Sequence, residues 1–289
     1  MKRKLLFFIG YDAGFFSEYN NMVLAMLYCH RNNIRFCLSS KNANFAYSRG
    51  WRDYFEPFCC ELNIPYQRIM NPRLEAPLPT KGRREKIKRG IFRILKRLYG
   101  IDLLTYDIFN KARAQMVDEA FIDDCIAQNQ FIWHYNKSTM QAIEIRKSVL
   151  SLPKEYVGIH IRRGDKCREI QHTDIQQYID MVASHSKCKD VFVATDDYSV
   201  YEQLCLLYPN WRFYTLTSKS HQGYDQRTFE KYTKECKREE MILLFTDIEV
   251  LASSQLFVGT LSSNIGMYLY WRMPKGQCLG VDFQDWRIW

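Results

Sequence analysis

The sequence predicts an α/β protein built from two α/β domains that face each other across a cleft. The chain of 289 residues is about twice the length of a typical domain. Hydrophobic residues make up 47% of it, which is enough for a sizeable core. Strand-like apolar runs alternate with helix-like segments in both halves, so we expect an N-terminal domain at 1–150 and a C-terminal domain at 151–289.

The N-terminal half opens with a β-loop-α-β pattern. Strand-like and helix-like patterns alternate around a glycine-containing loop, GYDAGFFSEYNN. Parallel strands joined through a helix are typical of α/β domains. The predicted elements are a strand at Lys4–Ile9, a helix at Asn21–Arg31 and a second strand at Arg35–Leu38.

A basic segment follows a proline-rich loop. Residues 71–82 hold three prolines and predict that loop. Residues 81–97, KGRREKIKRGIFRILKR, hold nine Lys or Arg against one Glu, a local charge of +8 that leaves +1 of the net +9 for the rest of the chain. This pattern predicts an amphipathic helix whose basic face is either solvated or docked on an anionic membrane. Its apolar side carries Ile87, Ile91, Ile94, Leu95 and Leu98.

The C-terminal half alternates strands and helices after Pro153, which predicts a parallel sheet like that of a nucleotide-binding domain. The predicted strands are Tyr156–Ile161, Asp190–Thr195, Trp211–Thr215 and Leu256–Gly259. The predicted helices are Thr173–Ser184, Ser199–Tyr208, Glu235–Ser253 and Ser263–Arg272.

Three polar clusters follow predicted strands of this half: HIRRGDK (160–166), ATDDYS (194–199) and GTLSSNIG (259–266). Ligands of open α/β sheets bind at the carboxyl ends of strands, so the three clusters predict one site. The two guanidinium groups of the first cluster can hold phosphate oxygens bidentately. Gly164 allows a sharp turn or a close backbone approach, and Asp165 can orient an arginine by pairing with it.

The other two clusters each have a structural alternative. GTLSSNIG places hydroxyl and backbone N–H groups at a helix N-terminus, where they bind an anion or where a serine caps the helix. Asp196 and Asp197 either hold a ribose or sugar hydroxyl or cap the helix that follows. The aromatic segment FIWHYN (131–136) is interpreted as core.

Several motifs that indicate other chemistries are absent. The sequence has no G-x-G-x-x-G, no Walker-type phosphate loop and no D-x-D triplet. Its ten cysteines form no C-x-x-C pair and no zinc-type cluster, so no metal site is expected. The start, MKRKLLFFIG, has an apolar run too short for a signal peptide or a membrane span, and we expect free thiols in a reducing cytoplasm.

Taken in series, HIRRGDK, VFVATDDYSVYEQLCLLYPNW and FTDIEVLASSQLFVGTLSSN resemble the nucleotide-sugar half of fucosyltransferases. The resemblance is strongest to the α1,6-fucosyltransferases of nodulation and of core N-glycans, and weaker to the α1,2- and protein O-fucosyltransferases. It covers residues 130–272. It implies a GT-B-like fold, GDP-fucose as donor, no required metal and inversion at the sugar.

The resemblance also implies roles for individual residues. Arg162 matches the arginine that binds the β-phosphate of the donor, and Arg163 matches its less critical neighbour. Lys166 matches a lysine near the sugar and acceptor, and Glu169 is the candidate base, one position earlier than the family's glutamate. The other donor-binding positions are His160 and Asp247 at the guanine, Asp196 and Asp197 as the acidic pair, and Ser262 and Ser263 at the last helix.

Together with the polar strand ends, this resemblance implies an inverting, metal-independent glycosyltransferase that moves L-fucose from GDP-fucose to a glycan hydroxyl in polysaccharide biosynthesis. We expect it in the cytoplasm or on the inner face of the cytoplasmic membrane, with a lipid-linked acceptor and membrane contact through residues 81–97. Three alternatives stay open: another nucleotide-sugar donor, a non-catalytic nucleotide-sugar-binding protein, and nucleic-acid binding by residues 81–97. The last alternative explains none of the polar strand ends, so no nucleic-acid partner is expected.

Overall fold

The structure, a computed structural model, describes residues 2–10, 13–62, 64, 83–104, 118–164 and 173–284. The chain forms two compact units, Met1–Asn136 and Lys137–Trp289. The described elements of the first unit are β1 (Lys4–Phe8), α1 (Phe15–Arg31), β2 (Arg35–Ser39), a 3-10 helix (Gly50–Asp53), β3 (Cys60–Glu61), α2 (Arg83–Tyr99), β4 (Ile101–Leu104) and α3 (Phe121–Ile132). Those of the second unit are α4 (Lys137–Lys147), β5 (Val157–Ile161), α5 (Ile175–His185), β6 (Asp190–Thr195), α6 (Tyr198–Leu207), β7 (Arg212–Tyr214), α7 (Gln226–Glu230), α8 (Lys234–Ala252), β8 (Leu256–Gly259), α9 (Asn264–Arg272) and β9 (Cys278–Gly280).

The N-terminal unit contains a parallel four-stranded sheet in the order β3-β2-β1-β4. Helix α1 connects β1 to β2, as the β-loop-α-β pattern predicts. It begins at Phe15 instead of the predicted Asn21. The reason is an aromatic core: the rings of Phe15 and Tyr19, one helical turn apart, lie 6.5 Å and 6.1 Å from the ring of Trp51. Trp133 of the segment interpreted as core is buried there as well.

The C-terminal unit contains a parallel five-stranded sheet in the order β7-β6-β5-β8-β9. The chain runs from β5 outward to β7 and then returns to the other side of β5 at β8. This reversal makes a topological switch point between β5 and β8, where α/β sheets bind their ligands beyond the carboxyl ends of the strands. The clusters HIRRG and GTLSSN therefore lie side by side at the ligand-binding edge of the sheet.

The predicted α/β class is confirmed by these two parallel sheets, and the predicted strands of the C-terminal half agree with the observed ones to within one residue at each end. The units divide after Asn136, earlier than the boundary expected at 150. The difference is α4, which packs along α8 and whose Arg146 pairs with Glu239 at 2.5 Å. Helical periodicity alone does not show which domain a connecting helix contacts.

The predicted basic helix is present as α2, while the whole proline-rich loop 71–82 lies outside the described residues. Ile91 and Leu95 of α2 are buried against β1 and β2. Ile87, Ile94 and Leu98, on the same apolar side, are 45%, 50% and 65% exposed. The sheet thus covers only part of the apolar side. None of the described helices is both long and apolar enough to span a bilayer.

Candidate functional site

The end of β5 presents two of the predicted site residues at the switch point. The strand is central and buried along its whole length, so its side chains alternate between two covered faces. His160 is only 6% exposed, while the side chain of Arg162, just beyond the strand, is 27% exposed. The predicted residues Asp165, Lys166 and Glu169 lie outside the described residues.

Asp196 organises the turn that follows β5. Its carboxylate accepts hydrogen bonds from the backbone N–H groups of Arg163 at 2.7 Å, Gly164 at 3.0 Å and Tyr224 at 3.1 Å. Its Oδ2 also lies 4.0 Å from Nε of Arg162. Asp165, which the sequence predicted to orient an arginine, lies outside the described residues, so that pairing stays a prediction; among the described residues, Asp196 is the acid beside Arg162. Its predicted contact with the donor stays a prediction.

The neighbouring acid has a different role. Asp197 is the N-cap of α6, and its Oδ1 accepts a hydrogen bond from the N–H of Ser199 at 2.9 Å. The capping alternative therefore applies to Asp197. Arg163 also makes a local contact, because its Nη1 donates to the carbonyl of Thr173 at 3.0 Å. That contact ties the β5 turn to the start of α5.

Tyr224 is a site residue that the sequence did not indicate. Its ring centroid lies 5.4 Å from Cζ of Arg162, within the range of a cation–π interaction. The two residues are far apart in the chain and no local motif connects them. The only local signal is the glycine before the tyrosine, Gly223, whose φ of +96° marks a tight turn.

His160 and Asp247 belong to the same covered face of the sheet. A Cβ added to Gly158 would lie 2.9 Å from the side chain of Leu251, so this face of β5 contacts α8. His160 is two residues beyond Gly158 on the strand, and Asp247 is one turn before Leu251 on the helix. The positions predicted to hold guanine are thereby brought to one side of the sheet.

Both residues carry an enclosed polar atom. Nδ1 of His160 and Oδ1 of Asp247 are buried and have no hydrogen-bond partner among the residues that the structure describes. Burial lowers the pKa of His160 to about 4, with Asp196 opposing and Arg162 adding to the shift. Burial also raises the pKa of Asp247 well above its usual range, against the effect of Arg146. Leaving a buried polar atom unpartnered is costly, and a bound ligand can supply the missing partner.

The end of β8 differs from the prediction of an open anion site. The carboxylate of Asp282 accepts hydrogen bonds from the backbone N–H groups of Leu261 at 2.7 Å and Ser262 at 2.9 Å. The hydroxyl of Ser263 accepts from the N–H of Gly266 at 2.9 Å and is the N-cap of α9. The serine-cap alternative therefore describes Ser263, and phosphate contacts of Ser262 and Ser263 stay predictions.

The described part of the chain contains no group of three or more His, Cys, Asp or Glu side chains placed to hold a metal ion. The guanidinium of Arg162 can bind an anion, and His160 and Asp247 can form hydrogen bonds with a planar polar ring of a ligand. A nucleoside diphosphate combines these two chemical groups, an anion and a planar polar ring.

Comparison with proteins of known structure identifies proteins that share this fold. NodZ alpha-1,6-fucosyltransferase, a protein of Bradyrhizobium, was solved after soaking with GDP-fucose; it is 14% identical with a TM-score of 0.59 over 95% of this chain and 94% of its own. POFUT1 in complex with GDP-fucose is 10% identical with a TM-score of 0.53 over 99% of this chain and 98% of its own. A mutant of Arabidopsis thaliana FUT1 in complex with GDP is 10% identical with a TM-score of 0.53, over 96% of this chain and 72% of its own.

The sequence comparison identifies the family. No curated protein sequence matches the chain. The family model of alpha-(1,6)-fucosyltransferase N- and catalytic domains matches residues 121–274, more than half of the chain. The fold class expected from the resemblance, GT-B-like α/β, is confirmed by the shared fold of these fucosyltransferases. The shared fold extends along nearly the whole chain. On the sequence match over residues 121–274, the chain belongs to the family of alpha-(1,6)-fucosyltransferase N- and catalytic domains.

Proposed function

We propose that this protein transfers L-fucose from GDP-fucose to a hydroxyl group of a glycan. The observation that carries the proposal is the pair of enclosed atoms, His160 Nδ1 and Asp247 Oδ1, on the sheet face beside Arg162. Guanine offers N–H donors along one edge and the acceptors O6 and N7 along another, which complement a carboxylate and an imidazole N–H. The structures of NodZ and POFUT1 with GDP-fucose support the same donor.

The proposed transfer inverts the configuration at the sugar. The acceptor hydroxyl attacks C1 of fucose, the bond from C1 to the β-phosphate oxygen breaks, and GDP leaves. A base takes the proton of the hydroxyl. Glu169 as this base and Lys166 beside the sugar lie outside the described residues and stay predictions.

Negative charge grows on the departing diphosphate during this step. The guanidinium of Arg162 can stabilise that charge with two parallel hydrogen bonds. In metal-dependent transferases a divalent ion stabilises the same charge. We therefore include independence of metal in the proposal. The N–H groups at the start of α9 contribute less to it, because Asp282 already binds two of the N–H groups just before that helix.

A thermal-shift panel with GDP, UDP, CMP and GDP-fucose, with and without EDTA, tests the donor. A ligand at 100 times its Kd adds about 2.7 kcal/mol to the free energy of unfolding, which such a measurement detects easily. GDP and GDP-fucose should stabilise the protein equally with and without EDTA. Stabilisation by UDP in place of GDP would establish another donor, and stabilisation that EDTA abolishes would contradict metal independence. Donor binding without release of GDP from GDP-fucose in any glycan mixture would favour the non-catalytic alternative.

The proposal extends to where the enzyme works. The exposed apolar residues of α2, Ile87, Ile94 and Leu98, form one stripe on the helix surface. Exposed cations lie on the rest of the surface of this helix, and an anionic lipid surface complements them while the stripe enters the interface. Such a surface suits an enzyme on the inner face of the cytoplasmic membrane with a lipid-linked acceptor. The described cations are Lys86, Arg89, Arg93, Lys96 and Arg97.

Co-sedimentation with vesicles tests the membrane contact. Wild type should bind vesicles that contain phosphatidylglycerol and not vesicles of phosphatidylcholine alone, and the double variant Ile94→Asn/Leu98→Asn should lose most of that binding. The matched control is Leu206→Asn/Leu207→Asn, which removes two exposed leucines of α6 (80% and 61% exposed) and should bind as wild type does. Equal loss in the control would contradict a specific role for α2. Steeply salt-dependent binding of RNA or DNA in place of vesicles would support the nucleic-acid alternative.

A further inference from the structure

The loop 221–225 is fastened to the turn after β5 through one carboxylate. Asp196 accepts hydrogen bonds from the N–H of Gly164 at 3.0 Å on one loop and from the N–H of Tyr224 at 3.1 Å on the other. The backbone carbonyl of Asp196 also accepts from the N–H of Gly223 at 2.8 Å. The end of β6 therefore holds the two loops together.

The contact between the loops is made by backbone atoms. A Cβ added to Gly164 would lie 2.1 Å from the carbonyl oxygen of Tyr224 and 2.4 Å from its nitrogen, so no larger residue fits without moving a loop. Gly223 has a φ of +96°, a conformation that glycine adopts at little cost. The position of Tyr224 relative to the end of β5 is thus fixed by two glycines and Asp196.

The ring of Tyr224 is itself held from two directions. Its hydroxyl donates a hydrogen bond to Oε1 of Gln226 at 2.7 Å, and its centroid lies 5.9 Å from that of the buried Phe229. Against this ring lies the guanidinium of Arg162, with Cζ 5.4 Å from the centroid. Oδ2 of Asp196 lies 4.0 Å from Nε of the same guanidinium.

We propose that Tyr224 is the positioning residue for Arg162, and that its ring sets the direction in which the guanidinium meets the diphosphate of the donor. An arginine side chain has many rotamers, and restricting them before the ligand arrives lowers the entropic cost of binding. The ring face attracts the cation without occupying the N–H groups that phosphate oxygens need, unlike a carboxylate partner. This inference rests on the proposed function.

The experiment measures the affinity of GDP, GMP and guanosine by titration calorimetry for wild type, Tyr224→Leu and Tyr224→Phe. In Tyr224→Leu the affinity for GDP should fall about tenfold, as expected for loss of a cation–π contact with a partly desolvated arginine. Guanosine affinity should change less than about twofold, because guanosine has no phosphate for Arg162 to meet. Tyr224→Phe keeps the ring and should retain most of the affinity for GDP.

Two controls separate positioning from general damage to the fold. Tyr232→Leu removes another tyrosine whose ring contacts Phe229, at 5.9 Å, and should leave GDP affinity unchanged. In an Arg162→Ala background, Tyr224→Leu should cause no further loss of GDP affinity if the ring acts through that arginine. The melting temperature of each variant without ligand checks that it is folded.

The possible results distinguish a failure of this inference from a failure of the proposed function. Wild-type GDP affinity in Tyr224→Leu overturns the inference and leaves the proposed function intact. Equal losses for GDP and guanosine, or an equal loss in Tyr232→Leu, also overturn it, because a structural role would then explain the effect. Failure of wild type to bind GDP would overturn the proposed function, and the role of Tyr224 with it.

Discussion

The ends of β5 and β8 are neighbours in the sheet, and both were expected to bind the diphosphate, yet they differ in charge. At each end a carboxylate from elsewhere in the chain binds backbone N–H groups: Asp196 at β5 and Asp282 at β8. Among the described residues, only the end of β5 adds a cation, Arg162, whose side chain remains 27% exposed. One end therefore offers a positive group to a ligand, and the other is already neutralised by an acid.

This difference shows that turn geometry alone can explain a glycine or serine motif at a strand end, without a bound ligand. Backbone N–H groups must be satisfied in every folded protein, and a carboxylate of the same chain does this well. A guanidinium beside enclosed, unpartnered polar atoms is stronger evidence, because the chain gains nothing from leaving such atoms unpaired. By this criterion we assign the proposed donor site to the end of β5.

The largest expected effect comes from removing the cation at β5. In Arg162→Ala the transfer rate should fall about 10²- to 10³-fold, which is typical for the loss of one group that stabilises charge in the transition state. The protein should stay folded, because the arginine side chain is partly exposed at the end of the strand. Release of GDP from GDP-fucose, measured together with the melting temperature, checks this.

Arg163→Ala is the matched control for that variant. Its side chain donates to the carbonyl of Thr173 and not to the region of His160 and Asp247, so a smaller loss is expected. Transfer at the wild-type rate in Arg162→Ala, or an equal loss in Arg163→Ala, would contradict the assignment of the donor diphosphate to Arg162.

A smaller effect is expected at the guanine position. Asp247→Asn replaces an acceptor by an amide that cannot accept two N–H groups of guanine, so GDP affinity should fall about 10- to 100-fold. Wild type should also prefer GDP to IDP, which lacks the N2 amino group, and the variant should lose this preference. Glu249→Gln, two residues further along α8 and paired with Arg272 at 3.1 Å, is the control. Unchanged discrimination between GDP and IDP in Asp247→Asn would remove guanine from this position.

The pH dependence of binding follows from the same carboxyl. Its pKa is raised in the free protein, and guanine N–H donors would lower it in the complex, so GDP binding should release protons. Affinity should therefore decrease as the pH falls, by at most about tenfold per pH unit below the raised pKa. His160, with a pKa lowered to about 4, stays neutral above that pH and adds nothing there.

Calorimetry over a pH series, in buffers of different ionisation enthalpy, measures this proton release. Asp247→Asn should show only the titration of the GDP phosphate itself, which serves as the reference. Identical pH profiles of wild type and variant would show that the carboxyl is already ionised, and would contradict the effect of burial on its pKa.

Four of the five strands described in the C-terminal half were predicted from the sequence, because strand signals are local. Buried parallel strands are short apolar runs, and polar residues follow them at the edge where the ligand binds. The same local logic placed His160 and Arg162 at the end of β5, where the structure has them. It could not find Tyr224 or Asp282, because their contacts with the strand ends come from distant parts of the chain.

One error in the N-terminal half has a tertiary cause. The helix was expected to begin at Asn21 because glycine, serine and asparagine before it are typical of loops. Tertiary burial of Phe15 and Tyr19 in an aromatic core outweighs that local preference. In α2, periodicity grouped five apolar residues on one side, but periodicity does not show how much of that side the sheet covers.

The smallest expected effect comes from removing the charge of Asp282 at the end of β8. Asp282→Asn keeps the shape of the exposed side chain at β8 but removes its charge. Its single amide oxygen can accept only one of the hydrogen bonds from Leu261 and Ser262, so the free energy of unfolding should fall by about 1 kcal/mol. If the diphosphate is held at β5, GDP affinity should rise by less than about twofold, since the negative charge that is lost is exposed and screened by solvent. A rise of about tenfold or more would show that Asp282 competes with the diphosphate for the same N–H groups. The two strand ends would then form one anion site, as the sequence predicted for Ser262 and Ser263, and the charge of Asp282 would set how tightly the donor binds.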